Sequence, residues 1–167
     1  GDIEFFYKCY ANTYHERGQR PYLSQAFFLQ LVESMPNHLM LIKASQHQQP
    51  VAAALFFKDE HTLYGRYWGA LKQVNCLHFE VCYYQGIDYA IAHKLAFFDP
   101  GAQGEHKLIR GFAPEYTYSA HWLAQPEFMR AVQSFCQQEK GHTQAYYQAA
   151  LASTPFKQID PGNKPIV

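Results

Sequence analysis

LMLIKASQHQQPVAAALFFKDEHTLYGRYWG, residues 39–69, carries three apolar runs parted by two polar breaks. Leu39 to Ala44 and Val51 to Phe57 flank the stretch Ser45 to Pro50. Asp59 to His61 then turns the chain into a third run, Thr62 to Gly69. Short runs rich in branched and aromatic residues, bounded by turn formers, read as strands. The first two predict a hairpin, and the third extends it in meander order.

On the N-terminal side, Phe5, Phe6, Cys9, Tyr10 and Tyr14 fall at near-helical spacing within Ile3 to Arg17, and Gly18 follows as a stop. Ser24 reads as the N-cap of a second helix reaching Glu33, which Pro36 and Asn37 end. On the C-terminal side the pattern is helical from His78 to Lys94, with Phe79, Cys82, Tyr83, Ile87, Ala90 and Ile91 as its apolar face. Ala96 to Phe98 predicts a short strand, Gly101 to Gly111 a polar loop, and Tyr116 to Leu123 a further strand. Pro126 opens a helix to about Gln138, and a separate helical stretch covers Thr143 to Ala152. This order predicts an α/β (α+β) fold, a mixed and mostly antiparallel sheet with helices on both faces. One domain is expected over residues 1–153, with a tail over 154–167. Because the chain starts with Gly and enters an apolar pattern at once, it is expected to be the C-terminal half of a longer protein.

Composition narrows the function classes. Apolar residues make up 48% of 167, which excludes a disordered chain. The thirteen Tyr and thirteen Phe read first as an aromatic core, with Tyr hydroxyls available to a pocket. Fourteen basic and fourteen acidic residues balance, and no Lys/Arg run forms the basic footprint of a duplex binder. Nucleic acid through a basic face is therefore disfavoured, though recognition of a tRNA end stays open. Cys9, Cys76, Cys82 and Cys136 have no paired spacing, and neither a leader nor a membrane-length apolar run is seen. A cytoplasmic protein with free thiols and no metal is the expectation.

Tyr64-Gly65-Arg66-Tyr67-Trp68-Gly69, His78-Phe79-Glu80, Gly101-Ala102-Gln103-Gly104-Glu105-His106-Lys107, Arg110-Gly111-Phe112 and Tyr118-Ser119-Ala120-His121-Trp122 together resemble the FemAB-like predicted N-acyltransferases. The resemblance implies a GNAT-like (acyl-CoA N-acyltransferase) fold and kinship with the Fem peptidyltransferases. Those proteins carry two such halves and move an aminoacyl group from tRNA to a peptidoglycan precursor. It also implies that Gly104 to Phe112 borders the active cleft, and that a preceding half of the same chain is a partner. Acyl-CoA or aminoacyl-tRNA is the implied donor, and a small-molecule or peptide-like amine the acceptor. One departure disfavours acetyl-CoA: Leu71 to Leu77, just before the central helix, has no glycine to shape a pyrophosphate loop.

N-acyl transfer needs a neutral amine, an oriented carbonyl and donors aimed at the developing oxyanion. Glu80, Asp88, Glu105 and His106 can serve as bases, and Glu80 is assigned that role. Glu80, Tyr84 and Asp88 recur every four residues on one helix face, either a solvated stripe or a cleft-facing one. Lys107 and Arg110 are assigned to the anion or oxyanion side, Arg by its fork and Lys as a point charge; ordinary loop charges are the plainer alternative. Gln103, Gly104, Glu105 and His106 of the same loop are assigned to substrate binding. Alternation along the third strand places Tyr64, Arg66 and Trp68 on one face and Tyr67 on the other; those three, with Tyr84 and Asp88 of the helix, are assigned to substrate binding. Arg66 there can stack on rings, grip an anionic ligand or snorkel. His78 and Cys82 can supply half a metal site, but without a second pair they read as helix-start and core residues. A non-catalytic domain recognising an anionic cell-envelope or peptide ligand is the competing function.

Overall fold

The structure, a computed structural model, describes residues 1–102 and 104–156, which fall into two compact units dividing after Ala102. The first unit runs α1 (Asp2–His15), α2 (Gln25–Ser34), β1 (Leu39–Gln46), β2 (Gln49–Lys58), β3 (Thr62–Ala70), α3 (residues 77–92) and β4 (Phe97–Asp99). The strands form one open sheet in the order β1-β2-β3-β4. β1, β2 and β3 pair antiparallel, and β4 joins β3 in parallel. The predicted meander, the short fourth strand and the mostly antiparallel sheet are all present.

Local signals act where the sequence put them. Ser24 accepts a hydrogen bond from the Phe27 N–H at 3.2 Å, capping α2. Gly18, at φ +68°, ends α1, and the Gln19 N–H closes onto the Tyr14 carbonyl. The β1–β2 turn is tighter than the polar stretch suggested. Gln46 pairs with Gln49, leaving only His47 and Gln48 between the strands, both at positive φ.

Helices cover both faces of the sheet, as expected. On one, Phe6, Cys9 and Tyr10 of α1 and Phe28 of α2 bury against Ala53 and Leu55. The Phe6 and Tyr10 rings each stand 5.1 Å from Phe28, and Tyr10 meets Tyr67 edge-on at 5.5 Å. Burying each large apolar side chain is worth roughly 1.5–3 kcal/mol, so this cluster holds the helix pair on the sheet. On the other face, Ala54, Phe56 and Leu63 pack with Val81 of α3.

α3 departs from a regular helix. Leu77–Phe79 and Gln85–Ala92 are α-helical, but Glu80–Tyr84 between them is a π-helical turn. The wider turn advances the inward face, so Val81, Tyr83, Gly86 and Ala90 are buried, with Val81 and Gly86 five positions apart. The predicted apolar face is corrected accordingly: Ile91 is 67% exposed.

The second unit holds a 3-10 helix, Glu105–Arg110, and a long helix α4 (Pro126–Ala152). Two expectations fail here. Tyr116 to Leu123 is irregular and not a strand; β propensity needs a neighbouring ladder, and the second unit has no strand among its described residues. The two predicted C-terminal helices are one, because Gly141 is accommodated inside α4 at the ordinary interior cost of about 1 kcal/mol.

Candidate functional site

The parallel pairing of β3 with β4 is brief: Thr62 faces Phe97, Leu63 faces Phe98, and Tyr64 faces Asp99. β3 continues to Ala70, so beyond Tyr64 that edge carries no strand among the described residues. One residue past the parting, β3 also breaks register with β2. Leu55 pairs with Tyr67 and Phe56 with Gly65, which leaves Arg66 as the extra residue of a β-bulge. Bulges bend a strand and re-aim a side chain, and they gather at sheet edges and beside active sites.

A cavity of about 110 Å³ opens at this place. Gly65, Arg66 and Trp68 of β3, His78 and Cys82 of α3, and Pro100 after β4 contribute to its wall. Its size suits a short acyl chain or a few ordered waters. A larger hollow of about 400 Å³ is lined by residues of α4 alone, from Phe135 to Tyr146, and is an open groove along one helix. A mixed-polarity lining drawn from both strand and helix makes the β3 cavity the better site.

The bulge overturns the predicted strand faces. Leu63 and Trp68 both lie on the α3 side, whereas Tyr67 packs with α1 and α2. Inserting Arg66 shifts the alternation by one, so Tyr64 and Trp68 do not share a face. Tyr64 is exposed and donates its hydroxyl to Asp59 Oδ2 at 2.9 Å, a tie within the β2–β3 turn. The Arg66 guanidinium lies over the Tyr67 ring, 5.1 Å from its centroid. Burial pushes the Tyr67 hydroxyl above its usual range, and Tyr22 donates to it at 3.5 Å. Of the three aromatic-strand residues assigned to substrate, Arg66 and Trp68 reach the cavity.

The α3 stripe is solvated. Glu80, Tyr84 and Asp88 are all exposed, Glu80 Oε1 accepts from Gln85 Nε2 at 2.7 Å, and none of the three lines the cavity. The inward α3 residues His78, Cys82 and Tyr83 line it instead. The His78 ring is held edge-on by Trp68 at 5.2 Å and Tyr83 at 5.4 Å. The sequence marks His78 as a helix-start or core residue; its place opposite Trp68 is a tertiary contact that no local pattern signals.

Lys107 and Arg110 stand in the second unit, on the 3-10 helix bracketed by Gly104 and Gly111, both at positive φ. Side chains three apart eclipse in a 3-10 turn, which puts the two cations on one side. Arg110 also donates to the His106 carbonyl at 2.6 Å. Glu105 and His106 are exposed on the same turn. Gln103 lies outside the described residues. Among those described, no cluster of three His, Cys, Asp or Glu side chains is placed to hold a metal, and no helix is long and apolar enough to cross a membrane.

An open mixed sheet, helices on both faces, and a cavity where a parallel strand leaves its neighbour define the class of domain. The family model for FemAB-like proteins, described as peptidoglycan biosynthesis/recognition, matches residues 1–158. The chain belongs to the FemAB-like family. No curated protein gives a significant match to it.

Proposed function

We propose that this chain is an N-acyltransferase domain of GNAT-like fold, moving an acyl or aminoacyl group onto a small or peptide-like amine. One observation carries the reading: β3 and β4 part after Tyr64 and Asp99, and the Arg66 bulge and the cavity lie just beyond. An extended donor arm can add by backbone hydrogen bonds to the stretch of β3 that has no neighbouring strand among the described residues, as peptides add to open sheet edges. That arm brings its carbonyl to the cavity, where Trp68 packs against it and the Arg66 fork holds an anionic group. Acyl-CoA or aminoacyl-tRNA is the donor class. Glu80 and Asp88, with Tyr84 between them, form the exposed polar stripe proposed to draw the ammonium form of the acceptor. Lys107 and Arg110, eclipsed on their turn, are proposed to grip a phosphate or carboxylate. The same proposal places the domain in the cytoplasm.

A thermal-shift screen against acyl-CoAs, aminoacyl esters and amine-bearing muropeptides tests this. Donors should raise the melting temperature of the native chain and leave Arg66→Ala unmoved, since only binding to the folded form stabilises it. The family's description covers recognition as well as biosynthesis, and stabilisation by acceptors but by no donor would favour a non-catalytic recognition domain. Unchanged binding and turnover in both Lys107→Ala and Arg110→Ala would remove the anion role from those two.

A further inference from the structure

We propose that His78 is the group that takes the acceptor's proton in the β3 cavity, a role that rests on the N-acyl-transfer reading above. General-base work needs a side chain that reaches the reacting nitrogen and exchanges a proton near neutrality. The titratable and charged groups around the cavity are Arg66 and Tyr67 from β3 and His78, Cys82 and Tyr83 from α3. A guanidinium does not give up its proton, phenols titrate far above neutrality, and a thiol is better suited to attack than to proton shuttling. The imidazole is the side chain in this set whose chemistry fits. Glu80, the carboxylate nearest in sequence, is turned to solvent and tied to Gln85.

The surroundings of His78 are built to aim it. Trp68 and Tyr83 meet its ring at interplanar angles of 76° and 88°, and Phe79 stands 5.5 Å away at 70°. Rings packed on several sides fix the imidazole plane, which is what a preorganised base requires. Two local irregularities also flank the cavity: the Arg66 bulge in β3, and the π-helical turn that starts two residues after His78. Both kinds of irregularity cost regular hydrogen bonding, and both recur beside functional sites.

The step balances without any further reactant. The neutral amine attacks the donor carbonyl, and one N–H proton passes to the imidazole as the C–N bond forms. The tetrahedral intermediate then collapses, the bond to the leaving thiol or alcohol oxygen breaks, and the imidazolium returns the proton to that leaving group. One amide replaces one thioester or ester, and His78 ends as it began.

p-Nitrophenyl acetate as donor and glycinamide as acceptor test this on the 167-residue chain, with the acetylated amide measured by mass spectrometry. The native chain should form amide with a pH profile showing a limb in the imidazole range and a normal solvent deuterium isotope effect. His78→Gln should lose about 10²-fold or more in kcat and lose that limb, with the donor KM unchanged. Added imidazole should restore part of the rate to His78→Gly. A fully active His78→Gln with the limb intact would overturn the role and leave the N-acyl reading standing. No amide above the protein-free rate from the native chain would overturn both. Should the variants fail to fold by circular dichroism, the native profile decides: a missing imidazole limb or isotope effect rules His78 out.

Discussion

Gly69 of β3 sits directly against the Cys9 carbonyl of α1: a Cβ added at Gly69 would stand 2.0 Å from that oxygen. Two side chains of α1 bind the same strand end, Asn12 Nδ2 donating to the Ala70 carbonyl at 2.9 Å and Thr13 Oγ1 to that of Trp68 at 3.3 Å. Helix and strand backbones thus touch with no side chain between them. Gly69→Ala is expected to destabilise the fold by about 3 kcal/mol, since the obstructing atoms are backbone and cannot rotate away. A urea melt monitored by circular dichroism measures this, and an unchanged midpoint would show that α1 is not seated there.

The β1–β2 turn places two side-chain-bearing residues, His47 and Gln48, at φ +50° and +64°. A left-handed conformation costs a non-glycine residue roughly 1–2 kcal/mol. Gln48→Gly should therefore stabilise the chain by about 1 kcal/mol, visible as a raised thermal midpoint, with the sheet unchanged by far-UV circular dichroism.

How much of this was legible in the sequence depends on how local each signal was. Ser24, Gly18 and the alternating runs of β1 to β3 act within a few residues, and the elements they predict are present. The Arg66 bulge was not legible, because which residue is extra depends on the partner strand, and it reverses the face of every residue that follows. The π turn at Glu80–Tyr84 similarly moved the inward face of α3 by adding a residue to one turn. Tyr116 to Leu123 has strand-like composition but no ladder to join, and Gly141 broke nothing because one interior glycine is a small cost in a helix of 27 residues. For the site, Arg66 and Trp68 were legible from their aromatic strand, whereas His78 was not; only the sheet brings it opposite Trp68.

The thiols should separate by reactivity. Cys9 is fully buried, and burial pushes its thiol up to about 11, so roughly a thousandth of it is thiolate at pH 8. Cys76 and Cys136 are exposed. A short iodoacetamide pulse followed by peptide mass spectrometry should modify those two and spare Cys9 until denaturant is added. Early labelling of Cys9 would mean that α1 opens readily.

Asp59 anchors the β2–β3 turn, accepting from the His61 and Thr62 N–H groups at 2.8 and 2.7 Å and from the Tyr64 hydroxyl. These hydrogen bonds hold its carboxyl below the ordinary 3.8. The folded form therefore favours the carboxylate. That contribution is complete above the unfolded value and disappears as pH falls through the lower folded one. Asp59→Asn should be less stable than the native chain at pH 6, with the gap narrowing toward pH 2.5. Urea melts at both pH values check this, and a constant gap would refute the linkage.

A nitrogen-15 NMR titration of the native chain with acyl-CoA and an aminoacyl ester tests directly whether the divergence of β3 from β4 forms a donor site. The account predicts that shifts concentrate in the backbone amides of residues 65–69 and the Trp68 indole N–H, and that Arg66→Ala abolishes them. Saturable shifts confined to α4, or none along β3 with any donor, would contradict it.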